Sequence, residues 1–284
     1  MTQEAALPRE ILRRLSVVES SRVIPAIAID WLVLVCGYSI IASPVPLPMK
    51  FAAAALVGIQ MHRLAILGHE GAHHLISRTP ALNDGVTNVF CLFMFGITVA
   101  GYREWHFVHH RRVGTSDDTE LVFKRGWRYS MPRSKNGFAG MFLLDLIGGG
   151  ADEVLKLAWS SRPRSLRDAL GLTVYWVVLV GLLAEINQLT LLAIHFGLVF
   201  TVFWAIFRIR GWSEHVGAEG PTHTHRLAVG PVIAYIFFPH YTWMHYEHHR
   251  FPTVPAHNLP LTRQAIGFSD VLDLHRLSNY FAGR

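Results

Sequence analysis

Cysteine is almost absent. Cys36 and Cys91, each inside an apolar run, are the only two in 284 residues. Both read as small core residues. The chain therefore cannot supply a disulfide framework, a cysteine-rich zinc site or an iron–sulfur cluster. Charge of one sign is also short, with 20 Asp and Glu against 26 Lys and Arg, and charged residues make up only 16%. The cations form no stripe interleaved with aromatics, so nucleic acid is not an expected partner. There is no glycine-rich flavin or nicotinamide fingerprint, no internal repeat and no low-complexity segment. Arg13 and Arg14 stand too far ahead of the first apolar run for a signal peptide, and no small-residue cleavage site follows them.

What the chain has in excess is apolar length. It is 51% hydrophobic with a mean hydropathy of +0.29, which points to a membrane protein. The net charge of +6 is then read as membrane topology and contact with anionic lipid. The expected fold is an all-α integral membrane domain over 1–284. It comprises an interfacial segment (1–20), a first hairpin of spans (23–68), a second (169–207) and a cytoplasmic cap (102–168 and 208–284). The Pro-rich turn at 43–48 and the short 185–188 turn close the hairpins. Asp30 interrupts the first span and is expected to face other helices or water near the membrane edge, with a substrate-path residue or a structural ion pair as the other reading. The run 86–100 is too short to cross and should dip into the bilayer and return. Trp31, Trp176 and Trp204 are read as packing residues that also suit a tunnel wall.

The second excess is histidine, 17 residues. H-E-G-A-H-H stands at 69–74, H-F-V-H-H at 106–110 and H-Y-E-H-H at 245–249. Positions i, i+3 and i+4 share a helix face, so each stretch presents its imidazoles in one direction. Imidazole suits iron, zinc, copper and nickel. One zinc needs four ligands, and the three stretches offer more, so two metals or a larger site is implied. His69, Glu70 and His73 also fit the H-E-x-x-H pattern of zinc hydrolases, but that reading leaves both later stretches without a role. His62 and His195 lie inside spans and read as packing or tunnel residues. His74, His223, His225, His240, His257 and His275 are expected to tolerate substitution.

The three boxes in order resemble those of the membrane fatty acid desaturase and hydroxylase superfamily, in particular bacterial acyl-lipid desaturases. The neighbouring stretches agree: His109-His110-Arg111-Arg112 into Thr115-Ser116-Asp117-Asp118, and Arg250-Phe251-Pro252-Thr253-Val254-Pro255 with Asn258-Leu259-Pro260. The resemblance spans roughly 51–260. It implies four spans under a cytoplasmic cap and a non-haem diiron centre using O2. Carried over by position, the ligands are His69, His73, His106, His109, His110, His245, His248 and His249, with His215 as a ninth. Gly211 stands where some relatives carry an Asn that holds a metal-bound water. Glu70, His74, Glu104, Asp117, Asp118, Glu214, Glu247 and Asn258 are the residues expected around the ligands. The implied reaction is O2-dependent activation of a C–H bond in a long apolar substrate, desaturation of a fatty acyl chain first. A hydroxylase or ketolase of a lipid, carotenoid or other apolar metabolite is the alternative. Electrons must come from an external donor, a ferredoxin or small cytochrome with its reductase. The implied location is a bacterial inner membrane, with the metal site and both termini cytoplasmic.

Overall fold

The computed structural model describes residues 7–120, 127–131, 133–267 and 271–281. A short helix, α1 (Arg9–Leu15), leads into the first hairpin, α2 (Ser20–Ala42) and α3 (Leu47–Ala72). Pro48 sits in the first turn of α3, where a missing N–H costs nothing. The helix stops at the first box: His73 closes the last turn and His74 turns left-handed at φ 60°. α4 (Pro80–Thr87), a π turn (Asn88–Leu92) and a 3-10 turn (Phe93–Phe95) follow. Gly96 at φ +72° then breaks the path, a conformation glycine adopts without strain. α5 (Val99–Arg112), capped by the Thr98 hydroxyl, leaves at 87° to the segment before it.

This bent pair is the 86–100 run, and it does return to the side it left, because α5 carries the second box back to the first. The contact is close. A Cβ on Gly71 would lie 2.0 Å from Thr87 Oγ1, so box one needs its glycine for α4 to pack there. α6 (Lys135–Leu146) and α7 (Ala151–Ser160) precede the second hairpin. That hairpin is α8 (Leu166–Glu185) and a continuous helix over Thr190–His215, made of α9 (Thr190–Leu198), a π turn (Val199–Phe203) and α10 (Trp204–His215). The last span therefore runs two turns past the expected end at 207, because Arg208 and Arg210 are buried in pairs rather than solvated. β1 (Leu227–Ala228), α11 (Pro231–Phe237), α12 (His245–Arg250), α13 (Leu259–Ile266), β2 (Leu272–Asp273) and α14 (Leu274–Phe281) complete the chain. The two short strands pair in parallel.

Among the described residues, four helices are long and apolar enough to cross a membrane. One apolar core joins α2, α3, the bent segment and α9–α10 through Val57, Met61, Leu64, Phe203 and Trp204. A second lies against the end of α10, where Met141, Trp212, Phe238 and Phe281 meet. α8 buries no residue and exposes Leu166, Leu170, Val174 and Val177. An apolar surface on that scale is stable against lipid, not water.

Asp30 is 1% exposed and does not face water. Arg63 Nε donates to one carboxylate oxygen at 2.7 Å and His240 Nε2 to the other at 2.8 Å. The buried ion pair is thus the correct reading. His240, expected to tolerate substitution, supplies one of the two donors to this carboxylate. Asp30→Asn keeps the shape but removes the charge that two donors share. It is expected to lower stability by about 1–3 kcal/mol, seen as a lower midpoint of thermal unfolding in detergent. An unchanged midpoint would mean that the pair contributes no net stability.

Candidate metal centre

Box one closes α3, box two lies along α5, His215 ends α10 and box three forms α12. These four helix segments meet at one end of the bundle. There the imidazoles sort into two adjoining groups. His69, His73, His106, His110 and His248 form one, and His109, His215, His245 and His249 the other. Within each group the ligand atoms lie within 4.8 Å of one another. Sequence neighbours part company: His109 and His110 go to different groups, as do His248 and His249. Adjacent residues on a helix point about 100° apart, so a helix lying between two sites serves both.

The spacing fits metal ions. In the first group Nε2 of His106 is 3.0 Å from Nε2 of His73 and of His110, and His248 Nε2 is 3.2 Å from His110 Nε2. In the second, His215–His245, His245–His249 and His109–His249 pairs lie at 2.9, 3.1 and 3.3 Å. A metal about 2.1 Å from each nitrogen sets neighbours at right angles about 3.0 Å apart. The tautomers agree. His109 Nδ1 donates to Asp118 Oδ1 at 2.7 Å and His215 Nδ1 to the His223 carbonyl at 3.0 Å. In the neutral rings both Nε2 atoms then carry bare lone pairs. His69 Nε2 is buried and has no hydrogen-bond partner among the described residues. Lone pairs converging without protons want a cation.

Six of the rings are pushed toward the neutral form as well. Burial, and then the neighbouring imidazoles, lower His110 to about 2, and burial lowers His106 to about 4 although Glu120 works the other way. His73, His245, His248 and His249 are held well below the ordinary histidine value by burial and by one another. A metal ligand must be deprotonated, and here burial ensures it.

Of the surrounding residues expected from the sequence, Asp118 touches a ring directly and Glu214 lies 3.8 Å from His245 Nδ1 while pairing with Arg210. The others sit elsewhere. Glu70 accepts the Ala256 N–H at 2.9 Å, tying the loop after box three to α3. That contact commits the carboxylate required by the zinc-hydrolase reading. Glu247 is clamped by Arg263 at 2.8 Å on both oxygens. Asn258 donates to Leu15 O. Glu104 is exposed and paired with Arg164, Asp117 is exposed, and half-exposed His74 lies 3.8 Å from Asp84. Two partners were not singled out from the sequence. Glu120 lies 3.6 Å from His106 Nδ1 and 3.9 Å from His109 Nε2, between the two groups. The His223 carbonyl is a backbone atom, which no residue pattern marks.

A narrow apolar slot of about 50 Å³ runs beside the first group, lined by Ala65, Leu92, Tyr102, Phe203, Trp204 and Phe207. Tyr102 stacks on His106 at 5.3 Å. Trp204 lines this slot. Trp31 lines a different cavity, and Trp176 packs on Phe196 and His195.

Four apolar spans, nine buried or half-buried imidazoles at one end and an apolar slot beside them define a membrane-embedded scaffold with a histidine cluster able to hold metal. The sequence model of the fatty acid desaturase family matches residues 44–270, most of the chain. The chain belongs to that family. Its reaction is accordingly of the desaturase and hydroxylase kind, and its context is the membrane.

Proposed function

We propose that this protein is an O2-dependent non-haem diiron oxidoreductase acting on a C–H bond of a long apolar substrate, with desaturation of a fatty acyl chain as the reaction. The observation that carries this is the pair of adjoining imidazole groups beside the apolar slot. His69, His73, His106, His110 and His248 would hold one iron, and His109, His215, His245 and His249 the other. When bound, such a pair supplies O2 reduction and removal of hydrogen from an unactivated C–H bond. The chain's own groups do the rest. Asp118 and the His223 carbonyl fix the tautomers and directions of His109 and His215. Tyr102 holds the plane of His106. Ala65, one turn before His69, lines the slot with a small side chain and leaves room for an acyl chain next to the rings. The apolar walls around it keep water from the reacting carbon.

The chain has no redox group of its own within its motifs, so an external ferredoxin or small cytochrome with its reductase completes the cycle. Exposed Arg111 and Arg112 at the end of α5 give an acidic donor a basic surface next to box two. The basic cap further supports a cytoplasmic centre in a bacterial inner membrane.

Iron analysis and product mass spectrometry test the reading together. Two irons per chain and a lipid product short of two hydrogens are expected. A product with an added oxygen would move the chain to the hydroxylase and ketolase branch, which uses the same hydrogen abstraction. One zinc per chain without O2-dependent product would overturn the proposal.

A further inference from the structure

A cavity of about 310 Å³ lies between the second half of α2, the second half of α8 and the start of α9. These are the ends of the spans remote from the imidazoles. His195 lines it and stands 20 residues before His215 on one continuous helix. At 1.5 Å per residue the separation is roughly 30 Å. The walls are apolar, among them Trp31, Leu34, Met94, Leu179 and Leu191. The polar groups are Tyr38, Ser39, Tyr175, Gln188 and His195.

The hydrogen bonds fix what the central pair offers. His195 Nε2 lies 2.8 Å from the Met94 carbonyl, which only accepts, so Nε2 carries the proton. The neutral ring presents Nδ1 as an acceptor, and Tyr38 Oη, 2.7 Å away, donates to it. Tyr38 has one proton and has spent it. Its free lone pair is an acceptor at the wall of an apolar cavity. Ser39 likewise donates its proton to the Val35 carbonyl at 2.9 Å. A carbonyl, ester or ether oxygen can accept only from Tyr175 or Gln188 and leaves the Tyr38 lone pair unused. A hydroxyl finds an acceptor.

We propose that this cavity is a second ligand site that takes a membrane-soluble alcohol, an apolar chain or ring with one free hydroxyl seated on Tyr38 Oη. Trp31 in the wall provides the readout. Purified protein in nanodiscs is titrated with ω-bromododecanol and with its methyl ether, following bromine quenching of tryptophan fluorescence. The alcohol is expected to bind about tenfold tighter than the ether, the worth of one buried hydrogen bond. Tyr38→Phe alone would unmask His195 Nδ1 as an acceptor, so Tyr38→Phe is combined with His195→Phe. The double variant removes both acceptors and brings the alcohol to the affinity of the ether. Leu179→Trp fills the cavity and abolishes binding of both. Equal affinities in the native chain, a preference surviving in the double variant, or full quenching surviving in Trp31→Phe would overturn the site. The source of the hydroxyl is read from turnover. A raised KM in the presence of the alcohol assigns the cavity to the far end of the oxidised substrate. An unchanged KM assigns it to an alcohol of the bilayer. Either result supports the site.

Discussion

His248→Ala and His249→Ala are expected to empty different halves of one centre. The residues are adjacent, yet His248 belongs to the group of five and His249 to the group of four. Each loss removes a nitrogen that has neighbours about 3 Å away and leaves those neighbours without their common ion. Altering residues that merely orient metal ligands typically costs about 10–100-fold in affinity or activity, so losing a ligand should cost at least about 100-fold. Each variant is expected to retain about one iron of two and to lose turnover by that factor or more. His215→Ala should behave like His249→Ala, since both reduce the group of four to three. Iron per chain by plasma emission, with Mössbauer spectra of the remaining site, distinguishes the two halves. Full diiron occupancy with native turnover in any of the three would remove that histidine from the ligand set.

The largest loss of stability is expected from Arg208→Ala. The Arg208 side chain is fully buried. It donates through Nε and, at 3.1 Å, through Nη2 to Asp145 on α6. Nη1 lies 2.7 Å from Glu153 on α7 and 2.9 Å from Tyr129 Oη. One guanidinium thus joins the last span to two helices next to it. Arg128 shares Glu153 at 3.1 Å. Truncation leaves a carboxylate buried without its counter-charge, a loss of about 3–5 kcal/mol. In a domain of this size that is a fall of roughly 10 °C in the unfolding midpoint. Arg208→Lys should recover only part of it, because an ammonium cannot make the two-pronged contact with Asp145. A midpoint within about 2 °C of native for Arg208→Ala would show that Asp145 finds another partner or takes up a proton.

Local spacing was legible. Box periodicity, apolar runs of span length and the turns at 43–48 and 185–188 are written within a few residues of chain. They hold whatever the rest of the fold does. The interrupted 86–100 run was legible for the same reason, being too short to cross and containing Gly96. Partners far apart in sequence were not. Asp30 meets Arg63 and His240, which are 33 and 210 positions away. No local pattern distinguishes such a residue from a carboxylate at a wet membrane edge. Glu70 and Glu247 stand inside boxes and look like groups that orient rings. Their carboxylates turn to Ala256 and Arg263, because the loop and helix after box three pack against the opposite side. Glu120, outside any box, reaches the rings because the chain after α5 folds back over them.

The sequence by itself determined the membrane character, the four spans and the three histidine boxes, since hydropathy and helical spacing are properties of short stretches; His215 entered only through the family resemblance. Tertiary structure decided which imidazoles cluster together, which carboxylates reach a ring and where the two apolar cavities described above lie. Each of these depends on how helices dock at separations of tens to hundreds of residues. The division into five and four follows from α5 and α12 lying between two sites, so that adjacent side chains on one helix look into different ones.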